Sequence, residues 1–381
     1  MSPSPRVAIC IPTYNGAAYI RAALTSAIAQ DYDNFAIIIS DDHSTDHTLA
    51  IVQEIERSQQ AQFSRSRLPS DARPTIKILK HPRLGLVGNW NHCVNHCLET
   101  GLETSLETDK FKYIKFLFQD DLLANNCLSQ MVAAAEQDDR IGMVFSRRRL
   151  LLSDAGSARS DLLTNPSVTD SSANKLVNST QPANYQPELI ESDPNAPDNA
   201  PEPLPASLQW LQNLHQHWSN LQPIQPGLDL LSDRNLCRQP DNKIGEPTNV
   251  LISTAVFKQI GLFDLAIHQF CDLEMWWRIM AHFRVAFVDQ PLATFRLHPQ
   301  QTTNSNLAAD RIWDEIYAVW LKLICADVYA PIPQPVRDRI LRHLITSLMR
   351  EYPRSIVRRQ WERLPRINSL LTQALSVKLH L

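Results

Sequence analysis

The sequence predicts an α/β protein built on a mostly parallel sheet with helices on both faces. Three observations carry this. Short apolar runs alternate with segments of helical periodicity from Val7 to Phe145. Several of these runs end in polar or acidic residues, as strand tips lining a crevice would. The 44% hydrophobic content over 381 residues is enough to bury both faces of such a sheet.

The elements follow in order. Val7 to Ile11 is a buried strand ending in the turn-rich Pro12-Thr-Tyr-Asn-Gly16, and Ile20, Leu24 and Ile28 share one helical face. Phe35 to Ser40 is a second strand, ending in Asp41-Asp42-His-Ser-Thr-Asp46, and the next helix carries Leu49, Val52 and Ile55. Ile76 to Leu79 is a third strand, followed after Gly88 by a helix that buries Val94 and Leu98. Tyr113 to Phe118 is a fourth, leading to Asp120 and Asp121. Leu128, Met131, Val132 and Ala135 mark a further helix, and Gly142 to Phe145 a fifth strand.

The pattern then breaks. Residues 153–206 hold eight prolines, one glycine, eight acids and two bases. With so few apolar side chains to offset ordering entropy, this insert is expected to be disordered. Trp210, Leu211, Leu214 and Trp218 signal a return to order. Helices are expected over Thr254 to Ile260 and Leu273 to Ala281, a strand over Val285 to Val288, and helices from Leu307 onward, with Trp313, Ile316, Trp320 and Leu323 on one face. The expected division is 1–152, the insert 153–206, a second half 207–306 and a helical extension 307–381.

Composition narrows the classes. A net charge of -3 gives no reason to expect nucleic acid. Seven cysteines without paired metal-ligand spacing favour free thiols in a reducing compartment. The sequence shows no apolar signal segment and no run long enough to span a bilayer, so a cytoplasmic protein is expected. Segment 334–381 carries ten Lys or Arg and three acids. Arg337, Arg339, Arg342, Arg350, Arg358, Arg359 and Arg363 alternate there with Ile340, Leu341, Leu344, Leu348, Ile356 and Trp361. This pattern admits a peripheral contact with the inner face of an anionic membrane, a solvated face on packed helices, or a dimer contact.

The chemistry concentrates at the strand tips. Asp120 and Asp121 repel each other unless water or a hard divalent cation intervenes, although Asp121 also suits a helix cap. Asp42 can accept from the N3–H of a uracil and Tyr14 can cover its ring; a turn role is the alternative for Asp42. A glycine-rich phosphate loop is absent, so a diphosphate would be met by a cation and basic side chains.

These residues fall within a wider pattern. The segments Ile9-Cys-Ile-Pro-Thr-Tyr-Asn-Gly16, Ile39-Ser-Asp-Asp-His-Ser-Thr-Asp46, Gly85-Leu-Val-Gly-Asn-Trp-Asn91 and Phe118-Gln-Asp-Asp121 occur in order. They are followed by Gly245-Glu-Pro247, Cys271-Asp-Leu-Glu-Met-Trp-Trp-Arg278 and Phe295-Arg-Leu-His298. The chain thereby resembles family-2 inverting glycosyltransferases of the GT-A (Rossmann-like) fold over about 7–150 and 240–300.

The resemblance implies a nucleotide-sugar donor, UDP-linked by preference, and a saccharide or lipid-linked acceptor of the kind used for cell-envelope polysaccharide. It implies Mg²⁺ or Mn²⁺ at Asp121, with His298 as a further ligand. Nucleotide contacts are implied for Pro12, Thr13, Tyr14, Asn15, Asp42, Asn91 and Asp120. Asp272 matches the general base, and Arg296, Glu246 and Trp276 fall in segments that meet diphosphate or acceptor. The family usually places Glu before the base, where this chain has Cys271. Glu274 reads as a solvated helix residue. Two rivals stand beside an inverting transferase: a nucleotidyltransferase, which would want a glycine-rich basic loop after the first strand, and a non-catalytic relative that binds sugar nucleotide or glycan as a regulatory partner.

Overall fold

The computed structural model describes residues 4–65, 74–103, 110–152, 206–298, 301 and 312–380. Its first half is a parallel sheet of β1 (Arg6–Thr13), β2 (Phe35–Asp41), β3 (Thr75–Lys80) and β4 (Phe111–Phe116), in the order 3-2-1-4. The connections carry α1 (Ile20–Ile28), α2 (Thr48–Arg65) and α3 (Leu86–Glu103). After β4 come the short β5 (Leu122–Leu123), α4 (Cys127–Ala135) and β6 (Ile141–Leu152).

Beyond the insert lie α5 (Ala206–Gln212), β7 (Ile224–Pro226), α6 (Gly227–Leu231), β8 (Val250–Ser253), α7 (Thr254–Ile260), α8 (Cys271–His282) and β9 (Arg284–Leu297). The sheet continues from β4 through β8, β6 and β9 to β5, with β7 also on β9. β8 runs antiparallel between β4 and β6, while β6 and β9 pair in parallel. Strands from both sides of the insert therefore share one sheet. The chain closes with α9 (Ile312–Cys325), α10 (Gln334–Val357) and α11 (Arg363–His380).

Alternation along the strands builds two cores, because successive side chains point to opposite faces. Val7, Ile9 and Ile11 face α1, α2 and α4. Ala8 and Cys10 face α3 and a larger core that takes in α7, α8 and the three C-terminal helices.

Several expectations change. β4 stops at Phe116, and Phe118 to Asp121 form a turn rather than a strand end. β6 extends through Arg147-Arg148-Arg149, which reads as polar in sequence. Arg148 is tolerated there, at 3% exposure, because its guanidinium pairs with Glu246 and donates to the carbonyl of Leu211. Glu274 is not solvated: it is fully buried, paired with Arg278 and Lys322 and hydrogen bonded to Tyr329. In α10, Ile340, Leu341, Leu344 and Leu348 all turn into the core, so most of the apolar face of 334–381 packs inward. The insert expected over 153–206 lies outside the described residues, save Ala206, where α5 begins.

Candidate active site

The site is assembled from strand tips and from one short segment, 242–248, that joins two acidic centres. At the first centre, Gln119 clasps the backbone of Tyr14 in both directions: Tyr14 N–H donates to its Oε1 at 2.9 Å, and its Nε2 donates to Tyr14 O at 3.0 Å. This ties the β1 loop to the turn carrying Asp120. Gly16 is required by that clasp, since a Cβ there would stand 2.2 Å from Gln119 Oε1. Asn15 takes a left-handed conformation (φ 47°) and is exposed, its side chain accepting from Thr45 N–H. Pro12 and Thr13 are buried, and Thr13 donates to Asp41.

Asp42 is 2% exposed and accepts from the backbone N–H groups of Leu84 and Gly85. It thus fixes the loop carrying Arg83, whose guanidinium lies 3.7 Å from the centroid of the Tyr14 ring. A cation over an aromatic face at this distance is attractive. Sequence reading missed Arg83; its signal was a lone basic residue after His81-Pro82. Asn91 is not brought to this edge by any side-chain bond. Both ends of its amide are spent on the backbone of Phe263. Asn89 serves the edge instead, donating to Thr13 O and Ser40 O and so bridging β1 and β2.

The two adjacent acids differ sharply. Asp121 is 1% exposed and accepts from Thr248 Oγ1 (2.7 Å) and from Arg296 N–H (3.0 Å). Burial, and then the charge of Asp120, push its pKa well above the ordinary carboxylate range. Asp120 is less buried, its side chain 21% exposed, and Oδ2 lies 2.9 Å from His298 Nε2. Arg296 Nε donates to Asp120 O, and its guanidinium lies over the ring of Tyr19, which also meets the His298 ring. Tyr19 was not anticipated.

Oxygen-rich, hard donors of this kind suit Mg²⁺ or Mn²⁺. Among the described residues no three His, Cys, Asp or Glu side chains gather into a cage. The donor set nonetheless fits a cation that takes one or two carboxylates and completes its shell with substrate phosphates and water. Asp120 and His298 would be its contacts; Asp121, expected as the ligand, has its two oxygens on Thr248 and Arg296 and lies behind them.

Asp272 forms the second centre, in the first turn of α8, where a helix favours negative charge. It accepts from Leu273 N–H (2.7 Å) and Asn242 Nδ2 (3.0 Å). Burial, with the Glu246 carboxylate adding, raises its pKa to about 7. Glu246 also raises Asp121, so its charge is felt at both centres. From Asn242 at Asp272 the segment runs through Gly245 and Glu246 to Thr248 at Asp121. Trp276 anchors this segment by donating to Gly245 O at 3.0 Å; with no exposed surface, it cannot meet a substrate. Lys115, fully buried, holds the same segment through the carbonyls of Thr248 and Val250.

The family model described as glycosyl transferase family 2 matches residues 8–182. Over that stretch the chain is similar to family-2 glycosyltransferases. The chain is 25% identical over 311 residues to an uncharacterized protein of Mycobacterium tuberculosis, covering 81% of this chain and 72% of that one. It is also 25% identical over 133 residues, 35% of each chain, to the GalNAc(5)-diNAcBac-PP-undecaprenol beta-1,3-glucosyltransferase of Campylobacter jejuni. Among solved structures, S. aureus TarS residues 1–349 in complex with UDP-GlcNAc matches with a TM-score of 0.57 at 13% identity, over 98% of this chain and 81% of that one. The chain thus has the GT-A fold.

Proposed function

We propose that this protein is a glycosyltransferase that moves a sugar from a nucleoside-diphosphate donor, UDP-linked by preference, to a hydroxyl acceptor with inversion at the anomeric carbon. The observation that carries the reading is Asp272: a carboxylate raised to about 7 at a helix N-terminus, joined by segment 242–248 to the acidic pair. A general base works best with a pKa near the operating pH.

Tyr14 and Arg83 offer flat and cationic surfaces for a base, and Asp42 keeps lone pairs for an N–H donor. Asp120 and His298 would hold Mg²⁺ or Mn²⁺. A bound divalent cation supplies positive charge against the charge that grows on the departing diphosphate. Arg296, fixed over Tyr19, adds a second positive charge on that side. Asp272 takes the proton of the acceptor hydroxyl as it attacks, and a displacement from the side opposite the leaving group inverts the centre.

UDP-GlcNAc and UDP bound to the similarly folded TarS, and the undecaprenol-linked acceptor named for the Campylobacter relative, support this donor and acceptor class. The non-catalytic alternative rested on Cys271. That thiol is 1% exposed and leaves Asp272 in place, so no observation favours the alternative. The test is a panel of UDP- and dTDP-sugars with saccharide and lipid-linked acceptors and Mn²⁺, with the anomeric configuration of the product read by NMR. A product of retained configuration, or donor turnover unchanged in Asp272→Asn, overturns the reading.

A peripheral membrane contact for 334–381 narrows to the end of α10 and the turn after it. Ile356 (40%), Val357 (82%) and Trp361 (57%) are exposed there, beside the exposed Arg354 and Arg359. Among the described residues no helix is long and apolar enough to cross a membrane.

A further inference from the structure

The helix that carries Asp272 does not cap itself. Phe270 occupies the cap position of α8 and offers no side-chain hydrogen bond. Cys271 follows it, a buried thiol whose Sγ lies 3.9 Å from His268 O. The loop that leads into α8 is held instead from the C-terminal helices. Glu315 on α9 accepts from three consecutive backbone N–H groups: His268 at 2.6 Å, Gln269 at 2.6 Å and Phe270 at 2.9 Å. Such charge-assisted bonds are among the strong ones.

One helical face grips this loop at two points. Lys322, seven residues after Glu315, pairs with Asp264 at 2.7 Å and with the buried Glu274 of α8 at 2.7 Å. Tyr329 donates to Glu274, and Trp320 packs on Trp277, with ring centroids 4.5 Å apart. α9 is therefore fixed to α8, and through Glu315 it fixes residues 268–270, the chain immediately before Asp272.

We propose that Glu315 is a positioning residue for the transfer reaction: from outside the nucleotide-binding sheet, it locks the loop that aims Asp272 at the acceptor hydroxyl. The proposal rests on the reading of Asp272 as the base. It makes the C-terminal helices part of the catalytic apparatus, acting on turnover rather than on donor binding, because Glu315 touches neither Asp42 nor the acidic pair.

Glu315→Gln in the full chain tests this. It preserves size but replaces one accepting oxygen with a donor facing backbone N–H groups. Two readouts are taken: the split between UDP affinity with Mn²⁺ and kcat, and the rate of iodoacetamide alkylation at each cysteine by mass spectrometry. UDP affinity should stay within about twofold while kcat falls at least about tenfold, a change worth roughly 1.4 kcal/mol in barrier. Cys271 should alkylate at least about fivefold faster as the loop loosens, with the core thiols Cys10 and Cys93 unchanged. An unchanged Cys271 rate overturns the lock. A faster Cys271 rate with unchanged kcat overturns the role in positioning. If wild-type protein turns over no donor, the reading of function fails, and the alkylation arm still decides whether the lock exists. Should the Gln variant not fold, Asp264→Asn releases the other end of the same loop and is judged by the same readouts.

Discussion

At the scale of single residues, Asp272 makes two measurable demands. Its pKa of about 7 reflects burial first and Glu246 second. As a base it must be ionised, so kcat at saturating donor should fall about tenfold per pH unit below about 7. Asp272→Asn should lower kcat by about 10²–10⁴ with UDP affinity retained; a flat acidic limb in wild type would refute the assignment. The same shift acts on stability in the opposite sense. A carboxylate raised from 3.8 to about 7 favours the fold while protonated, so its contribution is full below pH 3.8 and lost as pH rises through about 7. Wild-type Tm should therefore drop relative to Asp272→Asn between pH 5 and 8, readable by scanning fluorimetry. Asp121 makes a different demand. Both its oxygens are committed to Thr248 and Arg296, and an amide can accept from Arg296 N–H while donating to Thr248 Oγ1. Asp121→Asn should thus keep its Tm within a few degrees and lose Mn²⁺-dependent transfer; full activity would remove Asp121 from the cation site.

At the scale of elements, the strand tips owe their alignment to clasps that periodicity does not encode. The alternation of apolar residues identifies β1, β2 and β4 and places Asp42, Asp120 and Asp121 near one edge, because period and polarity are local properties. It cannot reveal that Gln119 grips Tyr14, that Arg83 covers its ring, or that Asn89 rather than Asn91 bridges β1 and β2. Those contacts span up to 105 residues and depend on loop geometry. The burial of Glu274 escaped for the same reason: its partners Lys322 and Tyr329 lie 48 and 55 residues on, in helices outside the family pattern. Gly16 tests the clasp. A methyl there meets Gln119 Oε1 at 2.2 Å, and Gln119 cannot swing away without giving up both bonds to Tyr14. Gly16→Ala should cost about 1–3 kcal/mol of stability and weaken UDP binding by about tenfold in calorimetry. Unchanged binding would show that the Tyr14 ring is held by Arg83 alone.

At the scale of the whole molecule, the sheet edge is tied together on both sides of the insert without it. Leu152 pairs with Leu297, and Leu211 O is held by Arg148. Replacing residues 153–205 by a short Gly/Ser linker should leave UDP affinity within about tenfold, roughly 1.4 kcal/mol; a larger loss would make the insert a wall of the site. The C-terminal helices bear on where the protein works. The basic and apolar residues of 334–381 read as one amphipathic face in sequence, because helical spacing does not say which face meets neighbouring helices. The structure turns Ile340, Leu341, Leu344 and Leu348 inward and leaves Met349, Ile356, Val357, Trp361 and Leu375 out. All of these but Leu375 lie at the end of α10 and in the turn after it, with Arg350, Arg354 and Arg359 exposed in the same stretch. A tryptophan and aliphatic side chains flanked by arginines suit the headgroup boundary of an anionic bilayer, where the charges add long-range attraction and the apolar groups add burial. Co-sedimentation with vesicles containing phosphatidylglycerol should show binding at low salt that weakens as salt rises through physiological strength. The triple variant Ile356→Ser, Val357→Ser, Trp361→Ser should lose most of that binding while keeping UDP affinity and Tm, since none of the three is buried. Binding that survives the triple variant would move the contact elsewhere on the molecule. Absence of binding by the wild type at low salt, together with self-association lost in the variant, would assign this tip to a contact between copies of the chain.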